Sequence, residues 1–138
     1  MSYMGGVRTE EQSRRWLREN LHHWDAHGFA LWVFRDLTDG AFVGRCGLRR
    51  LELMTGGEIE LGYATMRQFW GQGLATEMAK GVLRAAIARQ RLDSAIALID
   101  PRNLNSRRVA QRASFRFERN ITWKSGPAML FRQHRRSP

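Results

Sequence analysis

The stretch that most limits what this chain can fold into is Glu58 to Thr76, EIELGYATMRQFWGQGLAT. It reads as a short strand, a loop with two glycines one residue apart (Gly71 and Gly73), and the first turn of a long helix. A strand that enters a helix and returns as another strand calls for a right-handed crossover and a parallel pair. The loop between them also has a chemical reading. The first amides of a helix have no partner within it, and its N-terminus carries partial positive charge. Glycines let backbone N–H groups converge on a ligand, so the loop can cradle a pyrophosphate. The same glycines also suit a tight turn with no ligand. The loop is not a nucleotide-triphosphate loop, because no Gly-Lys-Ser/Thr follows. Nor is it the three-glycine dinucleotide fingerprint, because Thr76 holds the third position.

The 138 residues suit one domain, taken as 1–138, with a real core. No apolar run approaches the roughly 20 residues of a membrane span, and the opening residues lack the apolar segment of a secretory signal, so a cytoplasmic protein is expected. The one cysteine, Cys46, excludes an intrachain disulfide and reads as a buried strand residue rather than a nucleophile. The net charge is +10, almost all from arginine, since lysine occurs only at Lys80 and Lys124. That balance favours anionic partners, such as nucleic acid, ribosome or a polyphosphate cofactor, or else is a solvated basic surface. Charge alone does not choose between them.

In chain order, Thr9 and Gln12 have capping-box spacing, and Leu17, Leu21 and Trp24 recur at helical spacing, predicting a helix over 10–26. Phe29–Asp36, Ala41–Leu53 and Glu58–Thr65 read as strands of an antiparallel meander. Turns are expected at Thr38-Asp39-Gly40 and Thr55-Gly56-Gly57, with Gly44 and Gly47 marking a bulge or a close approach. An apolar stripe from Ala75 to Ile87 predicts a helix over 73–90. Ser94–Asp100 has the near-continuous apolar character of a central strand. A short helix over 105–113 and strands over 115–123 and 128–133, parted by Ser125-Gly126-Pro127, complete the pattern. The fold class is therefore α/β, a mixed and mostly antiparallel sheet with helices on both faces. His23 and His27 stand four apart, a spacing that metal sites use, yet no acidic or cysteine partner accompanies them, so no metal is expected.

Two linked motifs carry a family resemblance. They are Glu60-Leu61-Gly62-Tyr63 with Trp70-Gly71-Gln72-Gly73-Leu74-Ala75-Thr76-Glu77, and Pro101, Asn103, Ser106 and Arg108-Val109. Together they resemble the GNAT superfamily of N-acetyltransferases, in particular the branch that contains ribosomal-protein N-terminal acetyltransferases. The resemblance spans roughly Met4 to Phe117. The family's anion loop, Q/R-x-x-G-x-G/A, fits either as Gln68-x-x-Gly71-x-Gly73 or as Trp70-x-x-Gly73-x-Ala75. The second register places the helix start as the family does.

The resemblance implies a central parallel strand pair splayed for acetyl-CoA as cosubstrate. Pantetheine would bond backbone near Thr65 and Met66, with Asn103 on the other side. Amides of Gly71, Gln72, Gly73, Leu74, Ala75 and Thr76 would take the pyrophosphate. Arg108, with Arg102 and Arg107, would approach the nucleotide phosphates or form a solvated helix face. Glu60 is the first candidate base and Glu58 the second; either carboxylate equally suits an ion pair with arginine. Ser106 would protonate the leaving thiolate or cap a helix. The acceptor is a primary amine, a protein N-terminus or a small molecule. The competing reading is a catalytically inactive basic domain that binds RNA or ribosome. Relatives begin with a further strand and short helix absent here, and the open sheet edge this leaves suggests a homodimer. Ala113-Ser114-Phe115 also replaces the branch's Leu-Gly-Phe, which bears on how the preceding helix ends.

Overall fold

Alternating apolar positions and turn residues lay down six strands in one sheet. The computed structural model describes residues 10–53, 55–90 and 92–134. The order is α1 (Glu10–His27), β1 (Leu31–Arg35), β2 (Phe42–Leu53), β3 (Gly56–Thr65), a single 3₁₀ turn (Arg67–Phe69), α2 (Leu74–Gln90), β4 (Ser94–Ile99), α3 (Leu104–Arg112), β5 (Arg116–Trp123) and β6 (Gly126–His134). Across the sheet the strands run β1-β2-β3-β4-β6-β5. Every pair is antiparallel except β3 with β4, which are joined by the crossover through α2. The mixed sheet with helices on both faces is the class that the pattern predicted.

The apolar face of α2 lies on the sheet. Met78, Ala79, Val82, Leu83 and Ala86 pack against Cys46, Leu48, Leu61, Ala95, Ala97, Ile99 and Phe131, with Ala110, Ala113 and Phe115 closing the cluster from the α3 end. Small residues on α2 and β4 bring helix and strand backbones close. Cys46 is completely buried, and burial pushes its thiol up to about 12.

Three local details differ from the sequence pattern, and a fourth is decided between its two readings. In α1 the stripe of Leu17 and Leu21 faces solvent, at 51% and 53% exposure, and the docked face is Trp16, Asn20, His23 and Trp24. The reason is that α1 meets strand ends whose backbone groups need polar partners. Asn20 accepts from Leu31 N–H and donates to Leu31 O, and the Trp24 indole donates to the same carbonyl. Gly56 and Gly57 belong to β3, paired with Leu53 and Glu52, rather than to a turn. Likewise Gly126 and Pro127 begin β6, so the last hairpin turns on Lys124-Ser125 alone, both with positive φ of 49° and 64°. Of the two readings of Gly47, the close approach holds: a Cβ there would lie 2.1 Å from Ala30 O.

The missing glycine after α3 is absorbed. Ser114 takes the left-handed conformation at φ 71° and donates to Gln111 O, while Phe115 N–H reaches Ala110 O. This double closure ends the helix as glycine would. The expected Thr9 cap lies outside the described residues.

Candidate active site

The parallel pair β3–β4 is in register at a single position, Glu60 opposite Ile96. Beyond it β3 runs on to Thr65 and β4 to Ile99 without facing each other, so the strands part into a V. The hydrogen-bond parity of β3 decides which groups line the gap. Met66 N–H donates to Val43 O at 2.7 Å, so residues 60, 62 and 64 turn their backbone groups to β2. The N–H and C=O of Tyr63 and Thr65 therefore turn away from β2, toward the gap. Thr65 O is taken by the Trp70 indole at 3.1 Å. Thr65 N–H thus remains directed at the gap, whereas Met66 N–H is already committed to β2.

The Gly71–Gly73 loop leads straight into α2. Both glycines have left-handed φ, 79° and 75°, and a Cβ on either would meet nothing within 4 Å. Their requirement is thus conformational, and the space beside them is open. The first helical hydrogen bond runs from Glu77 N–H to Gly73 O. The amides of Leu74, Ala75 and Thr76 precede the ladder, which suits them to an anion. Met66 and Trp70 before α2, and Leu104 at the start of α3, are exposed apolar residues on the segments that leave the two splayed strands.

Asn103 caps α3, its Oδ1 accepting from Ser106 N–H at 3.0 Å. The cap is thus Asn103, and Ser106 turns its hydroxyl to Tyr63. Ser106 Oγ–H donates to the Tyr63 oxygen at 2.9 Å, and Tyr63 O–H donates to Ser106 O at 2.8 Å. This pair bridges the mouth of the V from β3 to α3. Burial pushes the Tyr63 phenol up to about 12, against the lowering effect of the Ser106 hydrogen bond. Arg102 folds back on Asp100, whose carboxyl it draws down to about 2. Arg107 donates to Pro101 O, and Arg108 lies exposed on α3.

The two candidate carboxylates have different surroundings. Glu60 borders the V, with its Oε1 accepting from Arg49 Nε at 2.8 Å and its side chain 12% exposed. Glu58 is bound through both oxygens by Arg132, which also holds Glu118 and donates to Ser94 Oγ. The Arg132 hydrogen bonds hold the Glu58 carboxyl below its ordinary range. Only Glu60 opens on a cleft.

That cleft has a volume of about 720 Å³ and is bordered by Glu60, Tyr63, Asp100 and Ser106, by Trp16 and His23 of α1, and by the turn at Lys124. A second void, near 20 Å³ and lined by residues such as Phe29, Leu48 and Val82, is away from the splay. The cleft lies on the face toward which Arg45, Arg49 and Glu60 point, and none of residues 71–76 borders it. The V thus has two entrances, one beside the α2 N-terminus and one between α1 and the last hairpin. His23 fixes the second: its Nδ1 meets Phe29 O at 2.5 Å and its Nε2 accepts from Arg50 N–H at 2.9 Å. Continuing the edge ladder past β1 is thus the work of a histidine.

Sequence reasoning missed Tyr63, Arg49 and Lys124 as site residues. Tyr63 stood within a quoted motif, but its contact with Ser106 spans 43 residues and has no local signal. Among the described residues no group of three or more His, Cys, Asp or Glu could hold a metal, and no helix is long and apolar enough to cross a membrane.

Residues 1–116 match the acetyltransferase (GNAT) domain family. The chain is 30% identical over 131 residues to the uncharacterized protein YkkB of Bacillus subtilis (strain 168), covering 95% of this chain and 76% of that one. A GnaT-family acetyltransferase structure from Bordetella pertussis superposes with a TM-score of 0.86 at 24% identity, covering 96% of this chain and 81% of the other. The aminoglycoside acetyltransferase AAC(6')-Ib in complex with coenzyme A superposes with a TM-score of 0.76 at 16% identity, covering 96% and 80%. At these identities the two structures bear on the fold alone.

Proposed function

The chain belongs to the GNAT acetyltransferase family, and from that premise we propose that it is a single-domain enzyme transferring an acetyl group from acetyl-CoA to a primary amine by direct attack. The observation that carries this reading is the V between β3 and β4, open on one side to the α2 N-terminus and on the other to a cleft holding a carboxylate. In this reading amides 71–76 receive the pyrophosphate, the backbone at Thr65 and Met66 lies beside pantetheine, and Asn103 and Arg108 flank it from α3. Thr65 N–H is the better placed donor, since Met66 N–H is occupied by Val43 O.

The amine nitrogen attacks the thioester carbonyl carbon, the C–S bond breaks, and the coenzyme leaves as thiolate. Glu60 takes the proton lost by the amine, directly or through one water, and Arg49 orients it. Ser106 and Tyr63 form the proton donor beside the thiolate. A phenol with a pKa pushed up to about 12 stays protonated across neutral pH. A coenzyme thiolate leaves readily, so holding amine and thioester together supplies much of the rate. Within the family, the ELGY, WGQGLATE and Pro101–Val109 motifs support the ribosomal-protein acetyltransferase branch. As the outer strand, β1 exposes Val33 beside α1, where Leu17 and Leu21 are also exposed; this supports association of two copies, which light scattering measures.

The direct test is a thermal shift with acetyl-CoA at millimolar concentration. The native chain is expected to be stabilised, and Gly73→Val to lose most of that shift because a β-branched residue does not hold φ near 75°. Absence of any shift for the native chain sinks the proposal.

A further inference from the structure

The central strand β3 carries a glycine that the fold does not ask for. Gly44 and Gly47 on β2 answer close approaches, since a Cβ there would run into Ala64 O and Ala30 O. Gly62, the cross-strand partner of Gly47, has no such reason. Its φ lies outside the left-handed region, and among the described residues no atom comes within 4 Å of the place its Cβ would take. A glycine inside a strand costs backbone entropy and side-chain packing, and it marks a bulge or a close approach by another group. The β2–β3 ladder runs through Gly62 without a shift of register, so it is not a bulge.

The position of Gly62 says what approaches it. Side chains alternate along a strand, so residue 62 shares its face with Glu60. Glu60 opposite Ile96 is the position where β3 and β4 are in register, and Gly62 is the next residue of that face, beyond the split. The cleft is bordered there by four consecutive residues, Glu60, Leu61, Gly62 and Tyr63, which belong to both faces of β3. It is also bordered by Ser106 of α3, a helix that packs on the α2 side of the sheet through Ala110. The cleft thus passes through the split, from the Glu60 side to the Tyr63–Ser106 pair, and the bare backbone of Gly62 is one edge of the passage. Residue 62 turns its N–H and C=O to β2, so it offers a ligand room rather than hydrogen bonds.

Resting on the acetyltransferase reading, we propose that Gly62 is a specificity-determining residue of the acceptor site. The carbon that bears the amine crosses the sheet against the Gly62 backbone, with its nitrogen between Glu60 and the thioester. The missing side chain serves the acceptor and not the cofactor's pyrophosphate, because none of residues 71–76 borders the cleft. A larger residue at this position closes the passage and leaves the α2 entrance untouched.

The test uses the full chain and two coenzyme A thioethers that differ only in the acceptor part. In one the sulfur carries CH2–CO–NH2, in the other CH2–CO–NH–CH2–phenyl, so that the benzyl group stands where the acceptor carbon would be. Both are titrated by calorimetry, beside coenzyme A, into the native chain, Gly62→Ala and Gly62→Val. In the native chain the benzyl form is expected to bind at least as tightly as the carbamoylmethyl form. In Gly62→Val it should bind about tenfold or more weakly relative to that form, with Gly62→Ala in between. Coenzyme A and the carbamoylmethyl form should bind all three chains alike. Both variants should melt no lower than the native chain, because the added Cβ meets open space. Exclusion of the benzyl form by the native chain, a ratio in Gly62→Val within about twofold of the native one, or a lowered Tm of Gly62→Ala overturns the proposal. Absence of coenzyme A binding to the native chain is a different result: it overturns the acetyltransferase reading, and this proposal with it.

Discussion

Replacing Arg132 by methionine removes five hydrogen bonds from one point on the sheet. Arg132 bonds both oxygens of Glu58 at 2.8 Å, Glu118 at 2.8 and 3.3 Å, and Ser94 Oγ at 3.0 Å. Its side chain is 13% exposed and those of Glu58 and Glu118 are 17% and 33% exposed. Breaking a fully buried pair from one side costs about 3–5 kcal/mol, because a desolvated charge is left behind. Water reaches these carboxylates in part, which brings the expected loss to about 2–3 kcal/mol, measured by urea unfolding at pH 7. A loss under about 1 kcal/mol, the worth of an exposed pair, would refute the reasoning.

The pH dependence follows from the same contacts. The Arg132 hydrogen bonds hold the Glu58 and Glu118 carboxyls below their ordinary range. The folded state therefore binds fewer protons than the unfolded state as pH falls through the carboxylate range. The contribution is complete above the unfolded carboxylate pKa of about 4.3 and is lost as pH falls through the lower folded values. The difference between native and Arg132→Met should be level from neutral pH down to about 5 and close below about 4. Nη1 bonds Glu58 on β3 and Ser94 on β4 together, and Ile96, opposite Arg132, is the one position where β4 is in register with β3. Glu58→Gln should therefore weaken coenzyme A binding by loosening this seam. Glu118→Gln, acting from β5, should lower stability alone.

Glu60→Gln should lower kcat by about a hundredfold or more while coenzyme A affinity stays unchanged, as steady-state kinetics beside a binding titration will show. Burial lowers the His23 pKa below 6.5. The unfolded chain then binds the extra proton first, so stability should decline as pH falls from about 6.5 through the folded value, and His23→Gln should flatten that decline in denaturant titrations. Cys46, fully buried with its thiol pushed up to about 12, should resist a thiol-reactive disulfide at pH 8 in the folded chain and react at once in urea.

Local pattern was enough for element type along most of the described chain, because the α2 stripe and the apolar run of β4 have one period each. It also gave α1 as a helix but misplaced part of its docked face: Leu17 and Leu21 face solvent, while Asn20 and His23 dock beside Trp16 and Trp24. A helix that packs on strand ends is selected for hydrogen-bonding side chains, and apolar periodicity does not record that. It also placed Gly56, Gly57, Gly126 and Pro127 in turns, since glycine and proline signal turns locally while the neighbouring strand decides whether they pair.

The sequence by itself determined the family, through two motifs separated along the chain, and with it the crossover around Gly71 and Gly73. It also limited the candidate bases to Glu58 and Glu60, which share a strand face because strand side chains alternate. Only the tertiary structure separated those two. Arg132, 74 residues from Glu58, binds it through both oxygens at the closed end of the V, while Glu60 borders the cleft. The same holds for Tyr63 with Ser106. Each pair joins residues from different elements, and such a contact exists only once the sheet has brought the elements together.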